Sequence, residues 1–164
     1  MPTAEYTDAT PNDVAKRLIA VRQRIEDAVG KAARKPGCVR LLAVSKTFPL
    51  SAIAVVATTG QRAFGENYAQ EGVDKASQRP DLEWHFIGPI QSNKTRGIAE
   101  HFAWVHTIDR LKIAERLSAQ RPLGLPPIQV CLQVNISDEP SKSGCRPDDA
   151  LALCQAIAAQ PNLK

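Results

Sequence analysis

The sequence predicts an α/β fold built on parallel strands. Short apolar runs alternate five times with longer stretches in which apolar residues recur at helical spacing. A repeated strand–helix–strand order is typical of parallel strands joined by right-handed crossovers. The 164 residues, of which 43% are hydrophobic, suffice for one domain with a buried core. Two architectures fit this pattern: an open doubly wound sheet and part of a closed eight-unit barrel.

The first element is a predicted helix from about Pro11 to Val29, because Thr10 can cap its start and Gly30 can end it. Its apolar face would comprise Val14, Leu18, Val21, Ile25 and Val29. Strands are predicted at residues 39–45, 62–65, 83–87, 104–108 and 128–134. Helices are predicted at about 49–59, 68–77, 94–102, 111–119 and 147–159. The polar residues 1–10 are predicted to be a disordered tail, which leaves 11–164 as the domain.

Composition narrows the class of protein. The chain has no run of 18 apolar residues and no signal-like start, so we expect a cytoplasmic protein. The four cysteines form no C-x-x-C pair, which indicates reduced thiols and no metal site. Much of the net charge of +4 lies early in the chain, where residues 13–35 include seven basic and three acidic residues without interleaved aromatic residues. An interaction or nucleic-acid-binding module therefore remains only a weak alternative.

A lysine at the end of the first strand is the most informative feature. The apolar run from Leu41 to Val44 is followed directly by Ser45 and Lys46. A lysine at the mouth of a buried strand can serve as an amine that condenses with an aldehyde, or can simply extend to water. Functional groups gather at the carboxyl ends of parallel strands in both candidate folds. Neither a G-x-G-x-x-G dinucleotide motif nor a P-loop is present.

Four motifs make the chain resemble the pyridoxal phosphate homeostasis protein family, whose eukaryotic members are called proline synthetase co-transcribed homologues. They are Leu42–Lys46 (LAVSK), Phe64–Tyr68 (FGENY), Trp84–Lys94 (WHFIGPIQSNK) and Ser141–Gly144 (SKSG). The resemblance implies a (β/α)8 barrel like the N-terminal domain of alanine racemase. It also implies that pyridoxal 5′-phosphate (PLP) is held as a Schiff base on Lys46, and that the protein carries or buffers PLP.

The alternation of strand side chains gives candidate partners for Lys46. Leu42, Val44 and Lys46 share one face of the first strand, so polar residues ending the neighbouring strands can converge on Lys46. If Lys46 points into the barrel mouth, Asn67 could hold the phenolic oxygen of PLP, while His85 and Asn135 would line its ring from neighbouring strands. Simpler interpretations remain open: a helix cap for Asn67, a core histidine for His85 and a turn residue for Asn135. His101 and His106 are interpreted as structural.

Two basic loops have less certain roles. Gln91–Arg96 opens a helix, where free backbone N–H groups favour anions, and Ser141–Gly144 places hydroxyl groups beside an amine. Either loop can bind a phosphate or be an ordinary solvated loop, so the roles of Lys94 and Lys142 stay open.

The chain is short for the predicted barrel. It ends after five strand–helix units, whereas such a barrel typically needs about 250 residues and builds its phosphate site after strands seven and eight. We expect a chain that lacks the C-terminal strands and is monomeric or weakly self-associating. PLP-dependent apoenzymes are possible recipients of the cofactor. The main alternative is an enzyme such as an amino-acid racemase, but no second catalytic base is evident, so no catalytic residue is predicted.

Overall fold

In a computed structural model of the protein, residues 11–164 are described, so the predicted cap at Thr10 and the predicted tail lie outside the described residues. The helices are α1 (Pro11–Lys31), α2 (Leu50–Thr58), α3 (Ala69–Gln78), α4 (Thr95–His101), α5 (Leu111–Gln120) and α6 (Ala150–Ala158). The strands are β1 (Ala43–Val44), β2 (Ala63–Glu66), β3 (Glu83–Phe86), β4 (Trp104–Ile108) and β5 (Gln129–Leu132). Single 3₁₀ turns, Ser92–Lys94 and Pro147–Asp149, precede α4 and α6.

The strands form one sheet in the order β1-β2-β3-β4-β5. Strands β2 to β5 pair in parallel, with the single irregularity of their register between Val105 and Ile108 on β4. The last residues continue the sheet beyond β5, because Val130 N–H donates to Lys164 O and Lys164 N–H donates to Ile128 O, at 2.9 Å each. The predicted α/β class with parallel strands is confirmed, and the architecture is a partial barrel.

The described part of the first compact unit comprises residues 11–43 and 47–62 and contains α1 and α2. The predicted apolar face of α1 needs a correction, since Val21 is 36% exposed and Arg22 is less exposed. Arg22 donates to Thr59 O at 2.9 Å and to Gln61 Oε1 at 3.1 Å. Because Thr59 ends α2, the guanidinium group lies where the negative end of that helix attracts a cation.

Helix α1 does not end at Gly30, as the sequence predicted. Ala33 N–H donates to Gly30 O and Arg34 N–H donates to Val29 O, both at 3.0 Å. This is the hydrogen-bond pattern of a Schellman motif, whose left-handed residue is Ala33 with φ of 50°. The glycine therefore lies within the last turn of the helix, because the left-handed position falls three residues later.

Strand β1 is much shorter than the predicted 39–45. Residues 39–42 lie outside any strand, and the carbonyl of Leu41 accepts a hydrogen bond from Gln61 Nε2 at 2.8 Å. A side-chain amide thus takes the place that a strand ladder would give to this carbonyl. Apolar composition alone does not reveal such a competing partner. The predicted strand was therefore too long. The strand that does form, Ala43–Val44, still leads directly to Ser45 and Lys46.

The second compact unit, Val44–Lys46 with residues 63–164, contains the main core. Its largest buried side chains come from one face of β2, β3 and β4 and from the helices that contact them. Phe86 packs edge-on against Phe102, with ring centroids 5.4 Å apart. Among the described residues, no helix is long and apolar enough to cross a membrane. The four cysteines are free thiols.

A close approach of two loops depends on Gly88. A Cβ atom at this position would lie 2.0 Å from the backbone oxygen of Asn67. The loops after β2 and β3 can therefore meet only if residue 88 lacks a side chain. Thr107 Oγ1 fixes the same turn by donating to Gly88 O at 2.6 Å.

We predict that Gly88→Ala lowers the free energy of unfolding by about 3 kcal/mol, because the added methyl group meets backbone that cannot rotate away. Gly30→Ala is the matched control, since a Cβ there has open space within 4 Å. An alanine within a helix should stabilise the protein by roughly 0.5–1 kcal/mol. Urea unfolding of both variants measures the difference, and equal effects would contradict the close approach.

Candidate functional site

The ladder between β1 and β2 places Lys46 beside Asn67. Ser45 N–H donates to Gly65 O at 2.9 Å, which in a parallel ladder aligns Ser45 with Glu66 and the next residues with each other. Ser45 is buried and Lys46 is exposed, because successive side chains point to opposite faces of a strand. Lys46 and Asn67 therefore stand side by side on the sheet face opposite the helices, called the inner face below.

Two further residues extend this pair into a row across the sheet. Continuing the β2–β3 and β3–β4 registers by one residue places Asn67 beside Ile87 and Ile87 beside His106. The row Lys46, Asn67, Ile87 and His106, called the upper row below, runs across four strands, just beyond the carboxyl ends of β1, β2 and β3 and at the middle of β4. Functional side chains of parallel α/β folds collect at this edge.

The side chain of Asn67 has an unmet hydrogen-bonding group. Its Oδ1 atom is buried and has no partner among the described residues. The cap interpretation of Asn67 was wrong, because the N-cap residue of α3 is Tyr68 and its side chain makes no cap hydrogen bond. A buried amide oxygen without a partner costs roughly 1–3 kcal/mol, so a water molecule or a ligand that donates to it would be favourable here.

His85 lies one row deeper than Lys46 on the inner face. It is paired with Gly65 and Trp104 in the ladder and is only 6% exposed. Its Nε2 lies 2.8 Å from Glu83 Oε1, and its Nδ1 lies 2.9 Å from His106 Nε2. Both ring nitrogens thus have partners within the protein. The contact between His85 and a cofactor ring stays a prediction.

His106, interpreted from the sequence as structural, stands in the upper row itself. Its ring stacks on Trp104, with centroids 5.7 Å apart, and touches His85 through the shared hydrogen bond. Burial lowers the pKa of His106 below its ordinary value of 6.5. The sequence signal that could have identified it is the alternation of β4, which puts Trp104 and His106 on one face.

Asn135 holds its own loop. Its Nδ2 donates to Glu139 O at 3.0 Å, and its Oδ1 accepts from Glu139 N–H at 3.3 Å. Gly144 closes the same loop, since a Cβ there would lie 2.6 Å from the backbone nitrogen of Asn135. The structure thus favours the turn interpretation, and a ring contact by Asn135 stays a prediction.

Sequence reasoning missed a buried ammonium group behind Lys46. Lys75 on α3 is 7% exposed, and its Nζ donates to Ser45 O at 2.8 Å, to Glu66 Oε1 at 2.8 Å and to Glu71 Oε1 at 2.7 Å. Ser45 Oγ also donates to Glu66 Oε1 at 2.6 Å. We call Ser45, Glu66 and Lys75 the strand clamp. The available signal was a lysine between Gly72 and Ala76 on the buried face of α3.

The two basic loops are Gln91–Arg96 and Ser141–Gly144. Arg116 Nε donates to Ser92 O at 3.0 Å and to Thr95 Oγ1 at 3.1 Å, which fixes the start of α4. Lys94 and Lys142 are both exposed.

Comparisons with known proteins agree on one family. Residues 17–164 match the family model described as alanine racemase, N-terminal domain. The chain is similar to the pyridoxal phosphate homeostasis protein of Pseudomonas aeruginosa, with 58% identity over 153 residues, 92% of this chain and 66% of the relative. For the protein of the same name from Escherichia coli K12, the identity is 54% over 158 residues, 93% of this chain and 68% of the relative. The chain thus spans about two thirds of the length of these relatives.

A solved structure extends the similarity to the fold. PipY of Synechococcus elongatus PCC7942, in a structure with PLP bound, superposes with a TM-score of 0.74 and 35% identity. The match covers 92% of this chain and 66% of PipY.

We predict that His106 makes stability pH-dependent. Because burial lowers its pKa in the folded state, the unfolded chain takes up a proton first as the pH falls through about 6.5. The free energy of unfolding should therefore fall between about pH 7 and the lowered pKa, and level off below it. Urea unfolding at several pH values measures this slope. His106→Asn should flatten it, whereas the control His101→Asn on α4 should keep it; an unchanged slope in His106→Asn would contradict the assignment.

Proposed function

This chain belongs to the pyridoxal phosphate homeostasis protein family, and we propose that it binds PLP on the inner face of its sheet with Lys46 as the point of covalent attachment. One observation carries the proposal. The exposed amine of Lys46 stands in the ladder beside Asn67, whose buried Oδ1 has no partner among the described residues. An amine beside a side-chain amide suits an aldehyde that has a neighbouring oxygen, because the amide can turn its NH₂ group toward that oxygen.

The residues of the upper row fit PLP in their chemistry. The side-chain amide of Asn67 can present either its oxygen or its NH₂ group to a ligand, because the two orientations differ by a rotation. Ile87 gives the row an apolar side chain, and His106 adds an aromatic ring, which together suit a flat heterocycle. The fit therefore rests on the orphaned polar atom and the mixed polar and apolar row, in addition to the family.

Each side chain then has a distinct task. When bound, PLP supplies an aldehyde carbon that a neutral amine can attack. Lys46 Nζ would form the covalent bond to that carbon, with the aldehyde oxygen leaving as water, and Asn67 would orient the ring through its amide. Glu83 and His85 support His106 from below by the two hydrogen bonds of 2.8 and 2.9 Å. A lysine can lose its proton for this role, whereas an arginine stays charged.

We further propose that the protein holds PLP for transfer to PLP-dependent apoenzymes and does not convert a substrate. The relatives are named for homeostasis of the cofactor. A two-base racemase needs a second proton-transfer group on the opposite side of the cofactor from its lysine. His106 shares the inner face with Lys46, which gives it a place in binding the ring.

One prediction of this proposal concerns Lys46. Incubation with PLP, reduction with borohydride and peptide mapping should place the pyridoxyl mass on Lys46. Lys46→Ala and Lys46→Arg should both lose this label and the visible absorbance of the protonated Schiff base, since neither offers an amine that can lose its proton.

Lys94→Ala and Lys142→Ala serve as matched controls, because both lysines are exposed and lie in loops outside the upper row. These variants should keep the label on Lys46. A label found only on Lys94 or Lys142 would contradict the proposal.

Another prediction of this proposal concerns catalysis. With PLP bound, racemisation or transamination of common amino acids should not exceed the rate given by free PLP, because the proposed role is to hold the cofactor, as the names of the relatives indicate. Chiral chromatography over time measures the rate. Stereospecific turnover that disappears in both Lys46→Ala and His106→Asn would instead assign a racemase with His106 as its second base.

A further inference from the structure

The strand clamp connects the two proposed PLP-binding residues from behind the sheet. Ser45 directly precedes Lys46, and Glu66 directly precedes Asn67. The ammonium group of Lys75 bridges these two neighbours through Ser45 O and Glu66 Oε1, at 2.8 Å each. We propose that Lys75 and Glu66 are positioning residues, which hold the Lys46 amine in its place beside Asn67 for PLP. This inference rests on the proposed function of Lys46.

Ser45 is fixed at every polar atom that it has. Its N–H donates to Gly65 O, its carbonyl accepts from Lys75 Nζ, and its hydroxyl donates to Glu66 Oε1. A residue held at three points has little freedom in φ and ψ, so the direction in which Lys46 leaves the strand is also fixed. Thr47, the next residue, adopts a left-handed φ of 66°, so the chain turns sharply after the lysine.

Burial makes the clamp selective for one geometry. The side chains of Lys75 and Glu66 are 8% and 0% exposed, and Glu66 Oε2 is buried without a partner among the described residues. Water therefore does not readily replace either partner, and a hydrogen-bonded charge pair in such a place is short and directional. Glu71, by contrast, is 28% exposed and contacts Lys75 from within the same helix.

A purely structural ion pair and a positioning device differ in what they change. Loss of a structural pair lowers stability and weakens every form of ligand binding together. Loss of a positioning device loosens Lys46 locally and lowers the covalent step more than the noncovalent one. Pyridoxine 5′-phosphate separates these effects, because it carries a hydroxymethyl group where PLP has the aldehyde and cannot form a Schiff base.

The test compares Lys75→Met and Glu66→Gln with the control Glu71→Gln at a temperature where all are folded. In the first two variants, the ratio of covalently to noncovalently bound PLP, measured by visible absorbance, should fall about tenfold, a change of about 1.4 kcal/mol. Affinity for pyridoxine 5′-phosphate should change less than twofold. Glu71→Gln should leave both quantities within about twofold of the parent. Proportional losses for both ligands, or no loss for either, would overturn the proposal.

A second readout needs no PLP. The ¹⁵N order parameter of the Lys46 amide should be near 0.85 in the parent protein, as for rigid backbone, and below about 0.6 in Glu66→Gln or Lys75→Met. Val105 and Leu117, both 0% exposed, report that the core is intact. An unchanged order parameter at Lys46 would overturn the clamp even if PLP binds there. A lowered one with PLP attached to another lysine would overturn the function of Lys46 and leave the clamp intact.

Discussion

The structure around the candidate site depends on one buried ammonium group. Lys75 donates one hydrogen bond to the end of β1 and two to carboxylates, so all three of its N–H groups are used. Removing one partner of such a buried pair typically costs about 3–5 kcal/mol, because the other charge is left without compensation. Replacing the whole pair by apolar groups would cost far less. In the proposed positioning role, the pair serves the alignment of β1 with β2 through Ser45 O and Glu66 Oε1.

The alternation of strand side chains gives the sheet two chemically different faces. One face carries Phe64, Trp84, Phe86 and Val105 into the core, each at most 1% exposed. The other presents the upper row and the chain of hydrogen bonds from Glu83 through His85 to His106. Because strand side chains alternate, every residue that the core fixes on one face also fixes the position of its neighbour on the other. The packing of the core thus sets the geometry of the site.

The sequence predicted the parallel α/β class and most of the elements, because regular alternation of apolar runs is a local property. It failed where a distant side chain intervened. Gln61 donates a hydrogen bond to the carbonyl of Leu41, and β1 is shorter than predicted. Arg22 hydrogen-bonds to Thr59 O and is less exposed than Val21, which was predicted to be buried on α1. The sequence motif located Lys46. It did not reveal the role of Lys75, because two of its partners, Glu66 and Ser45, lie 9 and 30 positions away in the chain. The sequence did not reveal that His106 is level with Lys46, because that follows only from the register of the sheet.

The central claim is that Lys46 and Asn67 act together on one ligand. A crystal structure of the protein treated with PLP and borohydride tests it most directly. We expect continuous electron density from Lys46 Nζ to the carbon that was the aldehyde of PLP, with the phenolic oxygen about 3 Å from the side-chain amide of Asn67. Density joined to another lysine, or a ring turned so that the Asn67 amide still has no partner, would contradict the claim.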